Sequence, residues 1–238
     1  GATMKPHLAC AAAAVLLAAC ASSSGPARRD FTLEPPIARA PFAQRAALRD
    51  GVLLVAPVAA ASFYDGREIA FSTAPGMRGH YQFSHWTEPP AESVYAALVG
   101  GLARARLFPT VATPTPGLKA DWLLSVRLAE LYHDAQRPPG VERLVLNVEL
   151  VDLKERAVVA RRTFTACANA PTHDADGAVA GARSALASAV GDVVAWIDRT
   201  LPASGAVPRK PDAPLQPGDE AASGCDDIDA SITTARTP

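Results

Sequence analysis

The chain has 238 residues, a formal net charge of −1 at pH 7, and 49% hydrophobic residues. This length suits one domain with a sizeable core and is short for two, so we expect a single folded unit. The near-zero charge and the lack of a Lys/Arg-rich run argue against nucleic acid as a partner, because nucleic-acid binders carry a basic face.

The first 19 residues have the layout of an export signal. Residues 1–3 precede Met4 and look vector-derived, and the apolar run over residues 8–19 is too short to span a bilayer permanently. The run ends in Leu17-Ala18-Ala19-Cys20, which resembles the bacterial lipobox, whose cysteine receives a lipid and becomes the mature N-terminus. We therefore predict that Cys20 is lipidated. The alternative is an ordinary secretory signal in which Cys20 is incidental.

A lipidated Cys20 also predicts where the protein works. Residues 20–30 are rich in small residues and predict a flexible tether. Ala21 stands where an aspartate would retain a lipoprotein in the inner membrane, so we expect the periplasmic face of the outer membrane. In that oxidising compartment Cys167 and Cys225 are the thiols that remain, and they can pair as a disulfide. The alternative is two independent free thiols.

The first half of the predicted domain alternates short strands with turns and ends in a helix. Residues 31–33 predict a short edge strand, and residues 52–58 are apolar on both faces, which is typical of a central strand covered on each side. Residues 68–72 and 79–86 predict two pairing strands. The prolines at 89 and 90 precede apolar residues at helical spacing, which predicts a helix over 90–106.

An exposed loop, Phe63-Tyr64-Asp65-Gly66-Arg67, is predicted between two of these strands. Aromatic residues and arginine are enriched where proteins meet. The candidate partner-binding residues are therefore Phe63, Tyr64, Asp65, Arg67 and Trp86. The alternative is that the aromatic residues pack within their own domain, which is favoured for Trp86 because it precedes the helix.

The second half changes to a period of two, which predicts a three-stranded antiparallel meander ending near residue 165. His133-Asp134 is interpreted as a polar turn between the first two of these strands. Thr172 or Asp174 is positioned to cap a second helix running to about Arg199. We therefore predict an α/β fold over residues 31–201, a mixed sheet covered by two main helices. Residues 202–238, rich in Pro, Ala, Asp and Ser, predict a disordered tail.

Several short segments, in this order and behind a lipobox, resemble the ABC-type transport auxiliary lipoproteins, the PqiC-like family. The segments are Phe31-Thr32-Leu33, Val55-Ala56-Pro57-Val58, Asp65-Gly66-Arg67-Glu68-Ile69, Tyr81, His85-Trp86-Thr87-Glu88-Pro89 and Leu107-Phe108-Pro109-Thr110-Val111. The resemblance implies a fold similar to the amino-terminal domain of the TolB translocation protein. It also implies work beside a lipid-carrying MCE-domain protein with its permease and ATPase, and, for some members of the family, ring-like homo-oligomers. Two features depart from the family pattern: His85 stands where arginine is common, and the chain has a long tail with Cys225.

Catalytic motifs are missing from the sequence. It has no Gly-x-Ser-x-Gly elbow, no His-Glu-x-x-His pair and no Walker loop, and His80 and His85 would point to opposite faces of a strand. We therefore expect no enzymatic activity, no metal and no cofactor. The rival interpretation is a lipoprotein regulator or scaffold of cell-wall synthesis or envelope assembly with a similar fold. Co-purification separates the two, since a regulator would capture penicillin-binding proteins and not MCE-domain proteins.

Overall fold

The longest strands carry the alternation of apolar and polar residues that begins after residue 121. The computed structural model describes residues 27–35, 49–201 and 225. Strands β7 (Trp122–Asp134), β8 (Val141–Asp152) and β9 (Ala157–Asn169) form the predicted antiparallel meander. Leu124, Leu146 and Leu150 are fully buried on one face, because the two-residue period places every second side chain there.

The other edge of β7 organises the rest of the sheet. Six shorter strands precede β7 in the chain: β1 (Arg29–Phe31), β2 (Val52–Val55), β3 (Ala59–Ala60), β4 (Glu68–Ser72), β5 (Gly79–Trp86) and β6 (Thr110–Ala112). Of these, β2, β3 and β4 pair with β7 in parallel, one after another along its length. β6 then pairs with β2, β5 with β4, and β1 with β5, so the sheet is mixed.

Two helices pack on the sheet and against each other, which confirms the predicted single-domain α/β fold. Helix α1 (Pro90–Ala105) begins at a proline and ends where Arg106 adopts a left-handed conformation, with φ of 52°. Helix α2 (Ala175–Thr200) begins at Asp174, whose Oδ1 accepts a hydrogen bond from the Gly177 amide at 3.0 Å. α2 is long and apolar enough to cross a membrane, but 56% of its most apolar 18-residue stretch is buried inside the domain.

Both helices lie on one face of the sheet, the core face. The fully buried large side chains on that side include Leu53, Trp86, Leu98, Leu102, Leu124, Leu128, Leu144, Leu146, Leu150, Leu186 and Ile197. No helix covers the opposite side of the meander within the described residues. We call that side the open face; it carries Ser125, Arg127, Arg143, Val145, Asn147, Glu149, Arg161, Thr163 and Thr165, which alternate with buried neighbours.

Several local predictions are corrected by this arrangement. Strand β2 ends at Val55, and only its core-facing side chains Leu53 and Val55 are fully buried, because both helices lie on one face. The prediction of a polar turn at His133-Asp134 is wrong. These two residues belong to β7, where they pair with Phe71 and Ser72 of β4. The very short strands β3 and β6 had not been predicted.

Candidate functional site

The predicted interface loop folds into a 3-10 turn over Ser62–Tyr64, which contacts strand β5 through Phe63. Phe63 is 40% exposed, and its ring stacks on His80 with the ring centres 4.4 Å apart. Asp65 is exposed beside it. Phe63, Asp65 and His80 therefore form a solvent-facing patch in which Phe63 is fixed by stacking on His80. We call it the loop patch. Met77, 59% exposed, is a large apolar residue near this region in sequence that the sequence analysis did not single out.

Tyr64 makes its contacts mainly within the domain. Its ring packs against the core, and its hydroxyl accepts a hydrogen bond from Nε of Arg78 at 3.3 Å. The Arg78 guanidinium lies 3.7 Å from the centre of the Tyr132 ring, a cation–π contact. Replacing Tyr64 would therefore disturb the support of the loop as well as its surface.

Arg67 joins three strands. Its Nε donates to the carbonyl oxygen of Trp86 at 2.8 Å, and its Nη2 contacts Oδ1 of Asp30 at 3.0 Å. The backbone amide of Trp86 donates back to the Arg67 carbonyl at 2.7 Å. Arg67 thus ties the start of β4 to the ends of β5 and β1, a structural role that leaves its guanidinium only partly available to a partner.

Trp86 does not belong to the candidate interface. Its side chain is 2% exposed and belongs to the same core cluster as Leu98 and Leu102 of α1. Of the five candidate interface residues, Phe63, Asp65 and Arg67 are therefore exposed, with Arg67 also bonded inside the domain, whereas Tyr64 is half-buried and Trp86 is buried.

A buried polar cluster lies where β7 ends and β8 begins, beside the start of α2. His133 is 0% exposed; its Nε2 donates to the carbonyl oxygen of Pro139 at 3.0 Å, because that carbonyl can only accept. Its Nδ1 then accepts from the Tyr81 hydroxyl at 2.8 Å. Burial lowers the pKa of His133, in keeping with this neutral form, and burial raises the pKa of Tyr81 to about 12.

Glu142 lies opposite His133 in the β7–β8 ladder and is 1% exposed. Its Oε2 has no hydrogen-bond partner among the described residues, and Gly181 of α2 packs so closely that a Cβ there would lie 2.8 Å from the Glu142 Cβ. Burial raises the pKa of Glu142 well above its ordinary value of 4.5, because the buried site disfavours the charged carboxylate. Sequence reasoning missed this cluster because Tyr81 and Gly181 are far from His133 and Glu142 in sequence, and the four residues belong to no motif.

Glu142→Gln is expected to stabilise the protein at neutral and alkaline pH. Since the folded-state pKa lies above the unfolded one, the contribution of Glu142 to stability is complete below the unfolded pKa. It is lost as pH rises, by about 1.4 kcal/mol per pH unit up to the folded pKa. Urea unfolding between pH 4 and pH 8 should show the variant gaining on the parent as pH rises, whereas the exposed-site control Glu155→Gln should track the parent. Parallel curves for Glu142→Gln and the parent would contradict a buried neutral acid.

The two cysteines that follow the predicted lipidation site are bonded to each other in the structure. Cys167 and Cys225 form a disulfide with their Cα atoms 5.2 Å apart, across a sequence separation of 58 residues. Whether the isolated protein carries this bond is a prediction, argued in the Discussion. Cys20, the predicted lipidation site, lies outside the described residues. Within the described part of the chain, no group of three or more His, Cys, Asp or Glu side chains could hold a metal ion.

The family of the chain follows from its sequence pattern over the described domain. Residues 31–194 match the family model described as the ABC-type transport auxiliary lipoprotein component. This chain belongs to that family. The match spans the segments singled out in the sequence analysis, from the residue that ends β1 to the last third of α2, so the predicted resemblance is confirmed. The family is that of auxiliary lipoprotein components of ABC-type transport. No curated protein matches the chain.

Solved structures share the fold. A crystal structure of a protein from Xanthomonas campestris is 22% identical, with a TM-score of 0.59, and the likeness covers 74% of this chain and 94% of that one. A crystal structure of an uncharacterised protein is 16% identical with a TM-score of 0.56, covering 72% of this chain and 99% of that one. At these identities the likeness supports the fold of this auxiliary lipoprotein and carries no further argument about its function.

Proposed function

We propose that this auxiliary lipoprotein is anchored in the outer membrane through Cys20 and acts by binding, without catalysis of its own. It docks from the periplasm onto the MCE-domain protein of a lipid transport system with a permease and an ATPase. Family membership supports the transport role. The lipobox and Ala21 support the address.

The observation that carries the docking proposal is the loop patch. An aromatic side chain that is 40% exposed would ordinarily be mobile, but the ring of Phe63 is held on His80 and its backbone is fixed in a 3-10 turn. A pre-positioned aromatic residue loses little conformational entropy on binding, which is why such residues become interface hot spots. The patch therefore offers a partner an apolar anchor with a carboxylate, Asp65, at its border.

Phe63→Ala is expected to reduce co-purification of the MCE-domain partner at least tenfold, because truncating an interface hot spot costs about 2 kcal/mol or more. The melting temperature should stay near that of the parent, since Phe63 is outside the core. Leu118→Ala is the matched control: this residue is 42% exposed on a loop elsewhere and should leave both measurements unchanged. If folded Phe63→Ala keeps full partner recovery and parental oligomer size, the loop patch is not the docking surface.

Cys20→Ala is expected to abolish membrane attachment of the mature protein. Without the thiol no lipid can be added at residue 20, so the chain should either stay unprocessed or be found in the soluble periplasmic fraction. Fractionation of envelopes with antibody detection measures this, with Cys225→Ser as the control that retains the lipobox. A processed Cys20→Ala chain that still sediments with the outer membrane would contradict the anchor.

A further inference from the structure

The disulfide holds Cys225 on the open face of the sheet. On β9 the buried side chains Phe164 and Ala166 face the core, so Cys167 points to the opposite side by strand alternation. It lies in register with Arg143 of β8, which is also on the open face. Cys225 joins Val141 and Arg143 in lining a cavity of about 120 Å³ there.

Residue 201 is fixed at the other end of the domain and in the other layer. A five-residue connection joins β9 to α2, so the helix runs back antiparallel to the strand, and its 26 residues span about 39 Å. The end of the helix is held: Nη2 of Arg49 donates to the Leu201 carbonyl at 2.9 Å, and the Arg49 amide donates to the Leu107 carbonyl at 2.8 Å.

The chain between these two fixed points must return the length of the domain and change layers. Residues 202–224, outside the described residues, can reach about 80 Å when fully extended. A flexible chain of that length has a typical span of about 27 Å, less than the helix it must retrace. The short route from the helix layer to the open face passes the edge of β9, which within the described residues pairs only with β8.

We propose that residues 202–224 pass around the β9 edge and dock on the open face of the meander, as an internal ligand tethered by the Cys167–Cys225 disulfide. The surface they would cover includes the solvent-facing apolar residues at the start of β9, Val158 and Val159, which are 43% and 38% exposed. A long open edge beside exposed valines invites pairing with other chains, and a covering segment protects it. The proposal is independent of the docking role of the loop patch.

Charge complementarity supports this occupant over a second copy of the chain. On the open face Arg143 lies 3.5 Å from Glu130 and Arg161 pairs with Glu149. Arg127 is exposed and makes no ion pair within the described part of the chain. The tail carries Asp219-Glu220 five to six residues before Cys225. The offset from Cys167 to Arg127, two strands across and four residues along, is about 16 Å. Five to six residues can span that distance, since they reach roughly 17–21 Å.

A photo-cross-linking amino acid placed on each side of the domain tests the route in the full chain. With p-benzoylphenylalanine replacing Asn147, exposed on the open face, irradiation should give an intramolecular cross-link to a peptide within residues 202–224. With the same label replacing Ser188, exposed on the outer side of α2, that cross-link should be at least fivefold weaker. A dominant cross-link from position 188 would place the segment along the helix and overturn the proposal. A cross-link between copies from position 147, or none to the tail, would also overturn it.

Four further variants separate tethering from charge. Cys225→Ser should lower the cross-link at position 147 severalfold, because the intramolecular effective concentration given by the short tether is lost. Arg127→Glu should lower it as well, and adding Asp219→Lys and Glu220→Lys should restore it, whereas those two lysines on the parent background should weaken it. A yield that ignores all of these changes, or thiols found free in the parent, would contradict docking through the disulfide and the acidic pair.

Discussion

Trp86→Ala should lower the free energy of unfolding by about 3–5 kcal/mol, because it deletes a large side chain from a filled core and leaves a cavity. The indole is 2% exposed among α1 side chains, at the point where Arg67 ties β5 to β1 and β4. Chemical denaturation of the purified domain measures the loss. A milder cost, below about 1 kcal/mol, would contradict the core position.

Phe83→Ala is the matched control, since Phe83 is an aromatic residue on the same strand but is 39% exposed. It should change stability by less than about 1 kcal/mol, in keeping with a surface position. Measuring stability also distinguishes two causes of lost partner binding. Loss of the transporter from Trp86→Ala would reflect unfolding, whereas loss from Phe63→Ala at an unchanged melting temperature would reflect a lost contact.

Removing the disulfide is expected to cost roughly 4 kcal/mol in the chain-entropy model, because the bond closes a loop of some 58 residues. Guanidinium unfolding of the oxidised parent and of Cys225→Ser should show this difference. Reductant should shift the parent to the curve of the variant and leave the variant unmoved. The full cost requires that the closed loop be ordered in the native state; a tail that stays loose within its loop lowers it.

Peptide mapping without reductant decides whether the bond forms in the protein. A single linked peptide containing Cys167 and Cys225 is the expected result. Alkylation of both cysteines in the unreduced parent, together with insensitivity to reductant, would end the disulfide prediction. Cys10 and Cys20 do not complicate the map, since in the predicted mature form Cys10 has been removed with the signal and Cys20 carries the lipid.

The elements with a strong local signal were predictable. Apolar residues recur every second position in strands β7, β8 and β9 and with helical spacing in both helices, in each case over a dozen residues or more. Asp174 also marks the start of α2, because its side chain can accept a hydrogen bond from the first turn. Strands β3 and β6 have two and three residues, too few to show any period. They exist because the edges of β7 and β2 supply their hydrogen-bond partners, which a sequence read in one dimension does not show.

The candidate site was harder to predict because solvent exposure depends on tertiary packing. Phe63 and Trp86 are both aromatic residues next to polar ones, yet the first lies outside the core and the second inside it. Nothing in the composition of the Asp-Gly-Arg turn indicates that Arg67 is bonded to the Trp86 carbonyl. His133 and Glu142 lie in two neighbouring strands, and it is the register of β7 against β8 that sets them side by side in a buried cluster.

The most direct test of the transport account is the identity of the protein that binds the native, lipidated chain. The full chain should be purified from detergent-solubilised envelopes, and its partners quantified by mass spectrometry against the Phe63→Ala and Leu118→Ala variants. The account predicts an MCE-domain protein, with its permease and ATPase, recovered in near-stoichiometric amount by the parent and Leu118→Ala and lost with Phe63→Ala. Recovery of penicillin-binding proteins in place of an MCE-domain protein would contradict it.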